Sequence, residues 1–230
     1  MTFTHAQISV YRDVLDCAKS WIDDERSRAE EWGRCPDWPW NGFVLSHATI
    51  GGSANWDRIA LVYNDSYKWD VLIKVEKGAR NRLFASLGNP RFRTRVAGWA
   101  ESNFQRLNAM GGPAKARGEY DSLDTAKKRI AWVQSFCGFG AKYGRNIPMD
   151  AYDPLVSKHF ALDHRLRQQL GALGYPETSY ARGEELLNAL AKQLGTDAWT
   201  MDRVAYRCHN CIIAALRPSG SNIIAQAASS

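Results

Sequence analysis

The stretch Val133-Gln134-Ser135-Phe136-Cys137-Gly138-Phe139-Gly140-Ala141-Lys142-Tyr143-Gly144-Arg145-Asn146 decides how this chain is read. A helical run from Leu123 to Phe136, with Ala126, Ile130, Trp132 and Val133 turned inward, enters a Gly-x-Gly turn. A second helix leaves that turn at once, from Ala141 to about Ala151. Glycine allows positive φ and close approach of another backbone. The start of the second helix offers N–H groups and the positive end of its dipole, which together favour an anion. A DNA phosphate is the natural occupant, with Gly138, Phe139 and Gly140 supplying the turn and Arg145 a charged contact. A plain hairpin of two helices, with glycines serving only the turn, shows the same local pattern.

Working outward, most of the chain has helical periodicity. Ile8 to Glu31 carries Val10, Val14, Leu15, Ala18, Trp21 and Ile22 on one stripe, and Pro36 and Pro39 punctuate the segment after it. Trp40 to Ser46 begins a more buried helix that turns at Gly51-Gly52, and Ser53 caps a further one through Trp56, Ile59, Leu61 and Val62. Asp70 to Lys77 fits a short strand or a buried helical segment, and its helical surroundings favour helix. Phe92 to Leu107 is helical until Gly111-Gly112-Pro113 ends the run. Asp163 opens a helix to Leu173, and Glu184 to Leu194 and Thr200 to Leu216 finish the fold. With no hairpin of strands, the class is all-α.

Composition narrows the function classes. The 230 residues are 45% hydrophobic and 11% aromatic with nine Trp, enough for a real core and unlike a disordered chain. The formal net charge of +6 is compatible with a polyanionic partner but is too modest to require one. Met1 to Asp16 has polar residues throughout and no basic segment followed by an apolar run, unlike a signal peptide, and no uncharged apolar run is long enough to span a membrane. The five cysteines are irregularly spaced, as expected of free thiols in a reducing cytosol. The expected location is therefore cytoplasmic, at the nucleoid.

The continuation of the opening stretch adds most. Twenty-one residues after Lys142 comes Ala161-Leu162-Asp163-His164-Arg165-Leu166. A Gly-x-Gly-x-Lys hairpin followed at this distance by an aspartate opening a helix resembles the helix-hairpin-helix (HhH-GPD) DNA glycosylase superfamily, which includes endonuclease III and the 8-oxoguanine DNA glycosylases. Cys137 stands where the family pattern has proline. The resemblance covers about Trp40 to Leu216, with the specific motifs in the central part. It implies two helical subdomains with the hairpin at the cleft between them. Residues 1–40 with 151–216 would form one, and 41–150, ending in the hairpin at 123–150, the other; 217–230 would be a flexible tail. It also implies that Lys142 is the nucleophile and Asp163 the catalytic carboxylate of a base-excision enzyme with lyase activity. Helix-start position and burial would both favour the free amine that attack requires. The implied partner is double-stranded DNA carrying a damaged base or abasic site, bound by a monomer, with no cofactor. The expected substrate is an oxidised purine.

Other features are weaker. Phe43-Val44-Leu45-Ser46-His47-Ala48-Thr49 resembles the family's helix end before the loop that fills the gap left by an extruded base, making His47 or a neighbour the wedge. Cys208-His209-Asn210-Cys211 has too few ligands for a four-cysteine cluster, so no metal is expected. Lys74, Lys77, Arg80, Arg82, Arg91, Arg93 and Arg95 fit either a DNA-backbone contact or a solvated face. A glycosylase relying on Asp163 and water alone, and a DNA-binding protein without catalysis, are the rival readings.

Overall fold

The structure, a computed structural model, describes residues 3–51 and 65–217. The helix expected through Trp56 and Ile59, and nearly all of the tail expected to be flexible, lie outside the described residues. All regular structure among the described residues is helical, as expected of an all-α chain. The chain divides into two compact units, residues 31–151 and residues 1–30 with 152–230, the boundary falling within helix α1 (His5–Arg34).

The continuous unit is organised around α2 (Trp40–Thr49). Seven of its ten residues are buried, including Trp40, Phe43, Val44 and His47, so it is the central helix of this unit rather than a surface one. Trp40 has no exposed surface and meets Trp69, Phe84 and Phe104 at ring distances of 5.7, 5.7 and 5.6 Å. Truncating such a side chain costs about 3–5 kcal/mol. Around α2 stand α3 (Trp69–Leu72), α4 (Lys77–Leu87), α5 (Arg93–Ala109), α6 (Pro113–Asp121), α7 (Ala126–Gln134) and α8 (Ala141–Asp150).

The segment expected to be strand or helix at 70–77 is a single helical turn followed by turns, and a new helix starts at Lys77. Arg80 of the basic cluster is not on a solvated or DNA-facing surface. It is 5% exposed and forms a two-pronged pair with Glu101 at 2.8 and 2.7 Å, over the Phe104 ring. Burial pushes the Glu101 carboxyl up, but the Arg80 and Gln105 bonds outweigh it and hold the group below its ordinary range. Gly111-Gly112-Pro113 both ends one helix and begins the next. Gly112 N–H closes onto Leu107 O at φ +94, and Pro113 then starts α6 without forfeiting a helical bond.

The discontinuous unit combines α1 with α9 (His164–Ala172), α10 (Tyr180–Leu194), α11 (Ala198–Arg207) and α12 (His209–Leu216). Tyr11, Val14, Ala18 and Ile22 form the buried stripe of α1. Tyr11 donates to Gln169 Oε1 at 3.0 Å, and Gln169 Nε2 donates to Ala205 O at 2.8 Å and to His209 Nδ1 at 3.2 Å. Asp163, Ser179 and Asp197 each cap the next helix with a side-chain bond to a backbone N–H. The helix expected from Thr200 to Leu216 is broken at Cys208, which leaves helical geometry at ψ 17°.

Candidate active site

The hairpin is α7, the turn 135–140 and α8. Gly138 has φ +86, and a Cβ there would lie 2.8 Å from Trp99 Cε3 and 3.4 Å from His47 Cε1. Both backbone and neighbours therefore require glycine at this position. Gly140 is different. It caps α8 from an ordinary extended conformation, φ −90 and ψ −161, and a Cβ there would meet nothing within 4 Å. The fold of this unit gives no reason for a glycine at 140.

Lys142 is the second residue of α8 and half-buried, with Nζ 4.0 Å from the centre of the Tyr143 ring. That ring is anchored by its hydroxyl, 3.1 Å from Thr49 Oγ1, which in turn donates to Ser46 O at the end of α2. Arg145 turns one guanidinium nitrogen back onto Ala141 O at 3.1 Å. Phe139 is 5% exposed and packs against Phe43 at 5.0 Å, so only its backbone is left to meet a ligand.

His47 requires a correction. A wedge needs an exposed tip, and His47 has none: it is fully buried, stacked on Phe139 at 4.8 Å, with Nε2 3.1 Å from Asn103 Nδ2. Burial pushes its pKa down to about 3, so the ring is neutral. It is an interior brace of the hairpin, and any wedge must come from another residue.

Asp163 caps α9, its Oδ1 accepting Leu166 N–H at 3.0 Å. The backbone leading to it belongs to no helix and is held by side chains. Phe160 N–H donates to Glu184 Oε1 at 3.1 Å, Ala161 N–H to Asp202 Oδ1 at 3.0 Å, and Leu162 N–H to Tyr180 Oη at 2.9 Å. Tyr180 donates in turn to Phe160 O at 3.0 Å. Glu184 and Asp202 are 9% and 3% exposed. Burying two carboxylates is costly, and here their hydrogen bonds, with that of Tyr180, fix three successive peptides immediately before Asp163. His159 is tied to Glu184 by Nδ1 at 2.8 Å, and His164 is exposed.

Asn103, Tyr143, Tyr180, Glu184 and Asp202 were not singled out by the sequence. Each bonds to a residue far from it in the chain, as Tyr143 does to Thr49. In the Cys208–Cys211 run, burial pushes the Cys208 thiol up, away from a reactive thiolate. No group of three or more His, Cys, Asp or Glu side chains among the described residues is placed to hold a metal.

No family model and no curated protein matches the sequence. Solved structures do match. The 8-oxoguanine DNA glycosylase of Methanocaldococcus jannaschii superposes with a TM-score of 0.68 at 13% identity, over 88% of this chain and 94% of that one. The 8-oxoguanine glycosylase/lyase of the same organism, in complex with a 15mer DNA containing 8-oxoguanine, gives 0.66 at 12% identity, over 86% and 95%. The chain thus has the helical fold of these 8-oxoguanine DNA glycosylases, the fold expected from its Gly-x-Gly-x-Lys hairpin and Asp163.

Proposed function

We propose that the protein is a DNA glycosylase that extrudes and excises a damaged base, an oxidised purine, and then nicks the strand through a lysine Schiff base. The observation that carries the reading is the hairpin itself: an exposed glycine for which the fold has no use, at the start of the helix that bears Lys142. A bound phosphate supplies the missing reason, since it needs close access to backbone N–H groups at a helix start. The whole-chain likeness to an 8-oxoguanine glycosylase/lyase supports the same chemistry.

Extrusion of the base costs a few kcal/mol of unstacking and is offset by grip on the distorted strand. The neutral amine of Lys142 attacks C1′ of the extruded nucleoside. The C1′–N bond breaks, and the base leaves with its bonding electrons and gains a proton. Asp163, as a carboxylate, accepts the lysine's proton or stabilises positive charge developing on the sugar. Opening of the sugar gives a Schiff base. Loss of a C2′ proton then expels the 3′ phosphate by β-elimination. Tyr143 holds the lysine head in place beforehand; its face attracts the ammonium form, a reservoir that must release a proton before attack.

Borohydride trapping on abasic and 8-oxoguanine duplexes tests this. Wild type is expected to give a covalent band and Lys142→Gln none. Base release without a band in wild type would instead indicate a glycosylase using Asp163 and water. Neither release nor band, on duplexes that bind, would leave a DNA-binding protein without catalysis.

A further inference from the structure

Cys137 stands where the resembled hairpin carries proline, and proline would lack the N–H that this structure uses. Cys137 N–H donates to Asn103 Oδ1 at 2.8 Å, and Asn103 Nδ2 donates back to Cys137 O at 2.9 Å. One side-chain amide thus grips both polar groups of one residue, at the entry to the Gly138 turn. Asn103 is 1% exposed in the middle of α5. Because its Oδ1 receives an N–H, its orientation is fixed, and Nδ2 is also the donor toward His47 Nε2 at 3.1 Å. His47 Nε2 therefore accepts, which places the ring proton on Nδ1. That Nδ1–H is buried without a hydrogen-bond partner among the described residues. Leaving such a donor unmet costs about 1–3 kcal/mol, so the arrangement does not maximise stability.

The rest of this face of α5 does related work. Trp99, one turn before Asn103, closes over Gly138, and Arg106, nearly one turn after it, donates to Ser135 O at 2.6 Å and Oγ at 2.9 Å. Arg106 also lies over the Phe136 ring at 3.9 Å. Residues 135 to 138 are held along their length by one helix.

We propose that Asn103 is the positioning residue of the hairpin, supplying by two hydrogen bonds the rigidity that the proline-free turn lacks, with His47 Nε2 accepting from the same amide. The inference rests on the proposed glycosylase function, in which this turn meets a DNA phosphate. A residue needed only for stability would lower the melting temperature and leave the DNA contact unchanged. A positioning residue changes the number of phosphates the turn engages.

The test uses the full chain and a duplex with a tetrahydrofuran abasic analogue, binding measured by anisotropy from about 50 to 200 mM salt. Asn103→Ser keeps a small polar group but is too short for either backbone bond. It is expected to weaken binding about tenfold and to reduce the slope of log Kd against log salt by about one phosphate, roughly 0.9. At saturating abasic DNA, the trapping rate should fall by less than the affinity does. Asn103→Asp, which can still accept the Cys137 N–H but as a carboxylate no longer donates to Cys137 O, provides a second variant if Asn103→Ser does not fold, and should also weaken binding. An unchanged affinity and slope in a folded variant overturns the inference. Wild type that binds no duplex overturns instead the glycosylase function on which it rests.

Discussion

The two glycines of the turn separate fold from function in a single pair of substitutions. Gly138→Ala forces alanine to φ +86, which costs about 1–2 kcal/mol. Its Cβ would also lie 2.8 Å from a rigid indole atom of Trp99, and overpacking of that kind adds about 1–3 kcal/mol. The total, about 2–5 kcal/mol, corresponds to a drop in Tm of about 4–20 °C for a chain of this size. Gly140→Ala has neither problem. Restricting the unfolded chain contributes about 0.4–1 kcal/mol of stability, and alanine's poorer capping takes back about half a kcal/mol. Its Tm should stay within about 2 °C of wild type. On DNA the ranking reverses in kind. A methyl group at 140 fills the space through which a phosphate would approach, and losing one charge-assisted bond, about 1.5–3 kcal/mol, weakens binding about ten- to hundredfold. Differential scanning calorimetry and anisotropy on the abasic-analogue duplex measure both quantities. Gly140→Ala binding as tightly as wild type would refute the argument that DNA occupies that open space.

The packing makes three further outcomes testable. Glu101→Ala strands the buried Arg80 cation and should cost about 3–5 kcal/mol, whereas the double change Arg80→Met with Glu101→Leu should cost far less, by urea denaturation. Asp202→Ala removes the acceptor of Ala161 N–H, and Asp202→Asn keeps one; the Lys142 trapping rate should fall in the first and recover in the second, and equal rates would show that Asp163 needs no such support. His47 is held neutral with a pKa pushed down to about 3, against about 6.5 when unfolded, so between those values the unfolded chain binds one more proton. Its contribution to stability is intact above about pH 6.5 and falls by about 1.4 kcal/mol per pH unit as the pH drops toward 3. Urea midpoints at about pH 7, 5.5 and 4.5 should show that slope in wild type and lose it in His47→Gln.

The parts of the site legible in the sequence are those whose physics is local. Gly138 and the cap at Asp163 announce themselves because turn and capping chemistry depend on the residues immediately around them. The residues that escaped notice depend on distant partners. Arg80 looks like one more surface cation until Glu101, twenty-one residues away, encloses it. His47 looks like a helix-end histidine because nothing in Ser46-His47-Ala48 reveals that Phe139 and Asn103 will cover it. Helix α4 was hidden by the charged run around Lys77 and Arg82, whose buried positions, Arg80, Phe84 and Leu87, include only two apolar residues. Helix α6 was hidden by a proline read as a stop when it stands at a helix start. The break at Cys208 has no glycine or proline to mark it.

The division of the chain also sets an order of assembly during synthesis. Residues 31–151 are continuous and can close their core as soon as they emerge, whereas the buried stripe of α1 finds Gln169 and the helices beyond it only once those residues have been made. At about 5–20 residues per second, Tyr11 waits on the order of ten to thirty seconds for its partner. During that interval the apolar face of α1 has no folded surface from the later helices to cover it, and substitutions that destabilise α9 or α11 would prolong its exposure.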